Sequence, residues 1–240
     1  MCPVRILARW GLAIVAGLAM TIGAGDTAHA APGSSASWSV EPTPTPAFAG
    51  VTVLSSVSCG SPRACIAVGY YLDVVGAPVP LAEQWNGSRW AIQPTPDPRG
   101  ATSSFLFGVS CATPRSCAAV RSVTGATTGT VPLAERWNGI RWTIQRISGP
   151  IRRVRRDVGY LTALSCPSRS FCTAAGFFEA AGIDVMLAER WNGARWMIGH
   201  TRYPAGARDV ELADVSCPSA SSCTAVGYLN DISGLDAPLA

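Results

Sequence analysis

Leu54-Ser-Ser-Val-Ser-Cys59 is followed, after five intervening residues, by Cys65, and this pattern returns three times along the chain. The later copies end at the cysteine pairs Cys111 and Cys117, Cys166 and Cys172, and Cys217 and Cys223. The first cysteines of successive copies lie 52, 55 and 51 residues apart. A period near fifty residues made of strand-like pieces is typical of propeller blades.

Each period contains the material for four short strands. Strand a ends at Cys59, strand b begins at Cys65, strand c is Leu81-Ala-Glu-Gln-Trp85, and strand d begins near Trp90. Asn86-Gly87 separates strands c and d, and Asn-Gly is a strong hairpin signal because both residues tolerate positive φ. The run Leu-Ala-Glu-x-Trp-Asn-Gly-x-Arg-Trp occurs three times, beginning at Leu81, Leu133 and Leu187.

These repeats predict an all-β fold: a small β-propeller of about four blades, each of four antiparallel strands. The copies span about 51–98, 102–148, 160–204 and 210–240. Residues 37–46 repeat the strand d pattern, so we predict that this N-terminal strand closes the last blade, which removes two exposed sheet edges. The alternative is a truncated piece of a longer propeller array.

Residues 1–30 have the pattern of a secretory signal peptide. Arg5 and Arg9 precede an apolar stretch at 11–24, and Ala28-His29-Ala30 matches a signal-peptidase site. We therefore predict a secreted protein whose propeller domain is 31–240 and which meets a membrane only during export.

The full pattern Ser-Cys-x5-Cys-x-Ala-Val-Gly with Leu-Ala-Glu-x-Trp-Asn-Gly-x-Arg-Trp resembles the repeat of secreted actinobacterial β-propeller proteins. It is more loosely similar to kelch and galactose-oxidase central domains and to Asp-box sialidase repeats. The resemblance implies the propeller architecture and no particular activity. Asn86, Asn138 and Asn192 before the turn glycines depart from the Asp-box pattern, and no sialidase Tyr and arginine triad is identified.

The eight cysteines after the signal segment predict a disulfide framework. An exported chain with an even cysteine count at one repeated spacing favours local bonds over metal ligation. Each pair offers two ligands where zinc needs four, and His200 is the single histidine after residue 30. We expect no metal and no cofactor, and the bonds Cys59–Cys65, Cys111–Cys117, Cys166–Cys172 and Cys217–Cys223.

Aromatic and basic residues are the candidate ligand contacts. Trp90, Trp142 and Trp196 are expected in the core, whereas the tryptophans that flank the turns could stack on sugars at a rim. A basic loop in the third linker could bind an anionic polymer. The candidate residues are Trp85, Trp137, Trp191, Arg152, Arg153, Arg155 and Arg156.

The repeated Glu and Arg of each c–d hairpin are interpreted as cross-strand ion pairs: Glu83 with Arg89, Glu135 with Arg141, and Glu189 with Arg195. A three-residue hairpin loop would set them on one face, whereas a two-residue loop would separate them. The formal net charge of +4 is modest, so no nucleic-acid partner is expected.

The sequence favours a non-enzymatic role. One histidine and no nucleophile-elbow motif leave little basis for a catalytic triad. The leading hypothesis is a monomeric extracellular binding module for a glycan, a cell-wall polymer or a protein. The alternative is a secreted glycoside hydrolase or lyase, using carboxylates of the variable b–c loops: Asp73, Asp184, Asp231 and Asp236.

Overall fold

The computed structural model describes residues 39–125, 129–147, 158–180 and 182–240, and over those ranges the chain is all-β without a helix. The all-β prediction is thereby confirmed. Consequently, no described segment forms a helix of the length and apolarity needed to cross a bilayer. The strands of the described residues are β1 (Thr52–Ser61), β2 (Ala64–Leu72), β3 (Pro78–Trp85), β4 (Trp90–Gln93), β5 (Ala101–Thr113), β6 (Ser116–Gly125), β7 (Gly129–Trp137), β8 (Trp142–Gln145), β9 (Gly159–Ser168), β10 (Phe171–Ala180), β11 (Ile183–Trp191), β12 (Trp196–Ile198), β13 (Ala207–Ser219), β14 (Ser222–Asp231) and β15 (Asp236–Leu239).

The strands form four antiparallel sheets, each in simple up-and-down order. The first three sheets are β1-β2-β3-β4, β5-β6-β7-β8 and β9-β10-β11-β12, and the fourth is β13-β14-β15. Each sheet corresponds to one sequence repeat, because neighbouring strands are joined by tight turns that favour local antiparallel pairing. A meander of this kind has the strand order of a propeller blade.

The first hairpin of every sheet is closed by a disulfide, as the cysteine spacing predicted. In the first sheet Cys59 and Cys65 are direct register partners across β1 and β2. The other three bonds repeat this position. A loop closed over six residues constrains few unfolded conformations, so each bond contributes about 2 kcal/mol.

The second hairpin differs from both predicted loop lengths. Trp85 and Trp90 are register partners, so the loop holds the four residues 86–89. The Asn86 side-chain oxygen accepts hydrogen bonds from the backbone N–H groups of Ser88 and Arg89, and Gly87 has a φ of 96°. The asparagine is therefore selected by turn geometry, since its side chain replaces a backbone acceptor. Asn138 and Asn192 do the same.

The predicted Glu–Arg pairs within this hairpin are wrong for the first two sheets. Glu83 and Glu135 lie fully buried on β3 and β7, while Arg89 and Arg141 are exposed in the loops. Glu135 pairs instead with Arg121 of β6, through a short contact between the guanidinium and the carboxylate. The four-residue loop separates the predicted partners, because it places the arginine outside the strand.

Successive sheets pack face to face around the first strand of the later sheet. Strand β5 contacts β1, β2 and β3, and the same relation holds for β9 with the second sheet and β13 with the third. In the first of these contacts, Leu106 and Val109 of β5 pack with Ile66 and Val68 of β2. Three such clusters form the core, and their burial of apolar surface is the main stabilising term.

Several predictions concern the ends of the sheets and the linkers. Residues 39–46 form no strand, so the closure of the fourth sheet by 37–46 is not observed in the described part of the chain. The closed ring and the number of blades stay predictions. Trp38, the signal segment 1–30 and the basic loop with Arg152, Arg153, Arg155 and Arg156 lie outside the described residues.

Candidate functional site

A cleft of about 350 Å³ lies between the second and third sheets, at the end where the disulfide hairpins and the Asn-Gly turns meet. Its lining residues are contributed by β6, β7, β8 and β11 and by the turns that join β5 to β6, β7 to β8 and β9 to β10. They are Arg115, Ser116, Arg136, Trp137, Asn138, Thr143, Gln145, Arg169 and Trp191. Three of the nine are arginines and none is a carboxylate, so the cleft has a positive potential that favours anions.

Arg136 is the central polar residue of this cleft. Its guanidinium lies over the ring of Trp191, 4.7 Å from the centroid, which is a cation–π distance. One terminal nitrogen donates to the backbone oxygen of Arg169 at 3.0 Å and to the hydroxyl of Ser116 at 3.4 Å. These contacts tie the third sheet to the second and hold the guanidinium in one orientation.

The guanidinium of Arg136 also has a nitrogen that makes no hydrogen bond among the described residues. Its Nη1 is buried without a hydrogen-bond partner, and no described carboxylate lies within ion-pair distance. Burial lowers the pKa of Arg136 because removal from water disfavours the charged form. A guanidinium stays protonated in proteins even so, and the cleft therefore holds a partly desolvated cation whose counter-charge is missing among the described residues.

The edges of the cleft are formed by turns. The side chain of Arg115 lies against Gly139, where an added Cβ would come within 2.8 Å of it, so the glycine of the Asn-Gly turn makes room for the arginine. The amide of Gln145 donates to the hydroxyl of Thr143, and that hydroxyl donates to the Arg136 backbone oxygen. Arg115, Asn138 and Arg169 are exposed, so the polar edge is open to solvent.

The structure brings two of the three predicted tryptophans, Trp137 and Trp191, into the lining of this cleft. Trp137 and Trp191 are only 3% and 6% exposed, and each packs against the tryptophan across its hairpin. Their rings are core surface, so an alanine substitution would destabilise the fold and would not test stacking. Trp85, in the first sheet, is half-buried against Trp90 and is not part of the lining of this cleft. A stacking role stays a prediction.

Arg136 is absent from the sequence-based candidates, because its position is not identical in every copy of the repeat. The variable position x of the Leu-Ala-Glu-x-Trp run is Gln84, Arg136 and Arg190 in the three repeats. Variation within an otherwise constant motif was the available signal, although two of the three copies have arginine at this position. Arg190 lies over the ring of Phe171 at 4.8 Å.

The loop carboxylates proposed for catalysis have mainly structural partners. The Asp73 carboxylate accepts from the backbone N–H groups of Val75 and Ala77, and Asp231 caps the corresponding turn of the fourth sheet. Asp236 accepts from the Asn230 amide at 2.9 Å. Asp73 and Asp231 therefore stabilise the turns between the second and third strands of their sheets.

Asp184 lies in a different setting, beside Glu211 and Tyr228. Burial and the neighbouring Asp184 raise the pKa of Glu211, while the hydrogen bond from Tyr228 opposes the shift. That hydrogen bond to Glu211, with burial, raises the pKa of Tyr228 to about 12. Among the described residues no group of three or more His, Cys, Asp or Glu side chains is placed to hold a metal ion.

No protein-family model matches this chain, and no curated protein matches it. Among solved structures it is similar to a fucose lectin from Kordia zhangzhouensis in complex with methyl-fucoside, at 10% identity and a TM-score of 0.40, over 62% of this chain and 99% of that chain. It is also similar to the fucose-specific lectin from Aleuria aurantia, at 12% identity and a TM-score of 0.41, over 72% of this chain and 52% of that chain. The match thus spans about half the length of the Aleuria lectin. These TM-scores are too low to transfer the fold or the ligand of either lectin.

Proposed function

We propose that this protein is an extracellular, non-enzymatic binding module that holds an acidic glycan in the cleft between its second and third sheets. The observation that carries the proposal is the partly buried Arg136, which has an unpartnered nitrogen and no described carboxylate partner. A carboxylate or sulfate group in the cleft would neutralise the charge of this guanidinium through charge-assisted hydrogen bonds. Four disulfides fit an oxidising, extracellular compartment.

A sugar fits the remainder of the lining better than a purely apolar ligand does. Asn138, Gln145 and Thr143 supply amide and hydroxyl groups of the kind that bind sugar hydroxyls. The exposed Arg115 and Arg169 flank the entrance and add long-range attraction for an anion. A volume of about 350 Å³ is near the lower limit of ligand sites, so one end of a chain is a suitable occupant.

The test is the affinity of the disulfide-bonded protein for uronic-acid oligosaccharides, compared with the same oligosaccharides after their carboxyl groups are reduced to alcohols. We expect binding of the acidic forms only. Arg136→Gln installs the residue that the first repeat has at Gln84, and it should weaken binding about ten- to a hundredfold, because hydrogen bonds to a charged group contribute about 1.5–3 kcal/mol. The control Arg146→Gln removes the same charge from an exposed position outside the cleft and should leave the affinity within about twofold, since an exposed charge contributes little.

Equal affinity for the acidic and the reduced oligosaccharides would contradict a role for Arg136 in recognising the acid. Unchanged affinity of Arg136→Gln for the acidic form would place the site elsewhere. A secreted glycoside hydrolase or lyase is the alternative, and the adjacent Asp184 and Glu211 are the observation that favours it. Release of shortened products during the binding measurement would support that alternative.

A further inference from the structure

One interface is used three times between successive sheets. Each time, two apolar residues of the incoming first strand are buried against the preceding sheet. They are Leu106 and Val109, Leu161 and Leu164, and Leu212 and Val215, and none is more than 7% exposed. The second strand of the preceding sheet meets them with Val68, Val120 and Ala175 in turn, which are fully or almost fully buried. The repetition shows that this pairing of surfaces is built into the motif.

A hydrogen bond recurs at the centre of every one of these interfaces. The backbone N–H of Cys111 donates to the hydroxyl of Ser58 at 2.9 Å, and the same bond joins the next two sheet pairs. Those bonds run from Cys166 to Ser110 and from Cys217 to Ser165, both at 3.0 Å. The serine of the Ser-Cys motif thus belongs to the contact between sheets, which explains why it accompanies every first cysteine.

The first and fourth sheets each expose one of the two surfaces that form this interface. The first sheet exposes the first-strand surface, and the fourth sheet exposes the second-strand surface. On β1, Leu54 and Val57 occupy the incoming positions but are 38% and 61% exposed. On β14, Val226 occupies the receiving position and is 44% exposed, and Tyr228 beside it is equally exposed. Ser216, the next serine in the series, is also exposed. The two open surfaces are therefore complementary to each other, because they are the two sides of one repeated contact.

We propose that two copies of this chain associate head to tail, with the first sheet of one copy seated on the fourth sheet of another. The contact would bury Leu54 and Val57 against Val226 and would pair the Cys59 N–H with the Ser216 hydroxyl. Such a contact is heterologous, since it joins two different surfaces. It is an alternative to the predicted monomer, and it does not depend on the proposed glycan site.

A second copy would continue the contact that already joins successive sheets within one chain. Exposed apolar side chains at β1 and β14 are the same residue types at the same motif positions as those buried between sheets one to four. A strand face of this kind is costly to leave in water, because burying apolar surface is favourable roughly in proportion to its area. Every copy of the chain presents both the β1 surface and the complementary β14 surface. A different partner protein would need a surface of the same shape and chemistry.

The experiment is the molar mass of the exported, disulfide-bonded protein across a range of concentrations, by light scattering after size-exclusion chromatography. We expect the mass of more than one copy at the higher concentrations. Val57→Asp and Val226→Asp should each weaken association at least tenfold, because each places an unpaired charge in the contact. Val75→Asp is the matched control: Val75 is 82% exposed in a b–c turn outside the contact, so association should be unchanged.

A mixture of the two variants separates this arrangement from others. Each variant keeps one intact surface, so Val57→Asp mixed with Val226→Asp should form a one-to-one pair and nothing larger. A protein that is monomeric at every concentration would overturn the proposal in favour of closure within one chain or no closure. Association that survives both substitutions, or a mixture that stays monomeric while the unmodified protein associates, would overturn it as well. Unchanged thermal melting of each variant shows that folding is intact.

Discussion

The buried ion pair of the second sheet allows the sharpest test of the packing argument, through Arg121→Met. Arg121 and Glu135 are both completely buried, and Arg121 Nη1 also donates to the Pro96 backbone oxygen at 2.8 Å. Its Nη2 contacts the Asp97 carboxylate at 2.6 Å. Removing one partner of a buried pair leaves an uncompensated charge, so we expect the free energy of unfolding to fall by about 3–5 kcal/mol at neutral pH.

The pH dependence of the free energy of unfolding provides a second test of Arg121→Met. Burial raises the pKa of Glu135, while the charge and hydrogen bond of Arg121 lower it. Without Arg121 the raised pKa is unopposed, and a group with a raised folded-state pKa stabilises the fold at low pH and loses that contribution as the pH rises. The deficit of Arg121→Met should therefore shrink at mildly acidic pH.

Equilibrium denaturation at the two pH values, with the disulfides intact, measures both effects. Arg121→Met combined with Glu135→Leu should recover most of the lost stability, since a buried pair replaced by apolar residues is often neutral. Glu83→Gln is the matched control, because Glu83 occupies the same motif position in the first sheet without a hydrogen-bond partner among the described residues. A loss below about 1 kcal/mol for Arg121→Met, which is the size expected for a solvent-exposed ion pair, would contradict the burial of the Arg121–Glu135 pair.

Two further predictions concern the repeated hairpins. Replacing Cys111 and Cys117 together by alanine should lower the free energy of unfolding by about 2 kcal/mol, measured by denaturant titration, because a short closed loop is released. Gly69→Ala should destabilise the fold by about 2 kcal/mol or more in thermal melts, since its Cβ would lie 1.9 Å from the Val53 backbone oxygen. Gly50→Ala, with its nearest neighbour at 3.8 Å, should melt like the parent protein. Equal melting of the two glycine variants would contradict the close approach.

Strands and disulfides were predictable because both depend on neighbours in the chain. The alternation around Trp90 and the short spacing between Cys59 and Cys65 act within one hairpin, and the observed register places those cysteines opposite each other. The turn length was mispredicted although it is local. The Asn86 side chain accepts two backbone hydrogen bonds across the turn, and that contact favours a four-residue loop over the shorter ones.

The ion-pair and hydrogen-bond partners of these side chains were not predictable from the sequence, because the residues involved meet only after the strands and sheets pack together. Glu135 was expected to pair across its own turn, yet its partner Arg121 stands where the other repeats have glycine. The Ser110 hydroxyl binds an N–H group 56 residues away in the chain. The burial of Trp137 likewise results from the sheet that packs against it. The sequence of its own hairpin does not specify that contact.

The order of amino acids alone specified the all-β class, the strand order within each sheet and the four disulfide pairs. These follow from interactions over a few residues, which the order of amino acids specifies directly. The packing of sheet on sheet settles which carboxylate is neutralised, which tryptophans are buried and which arginine remains without a described carboxylate partner. Charge and burial are set by the surfaces that meet between sheets, and Arg136 became the candidate ligand contact because the third sheet desolvates it without supplying a counter-charge.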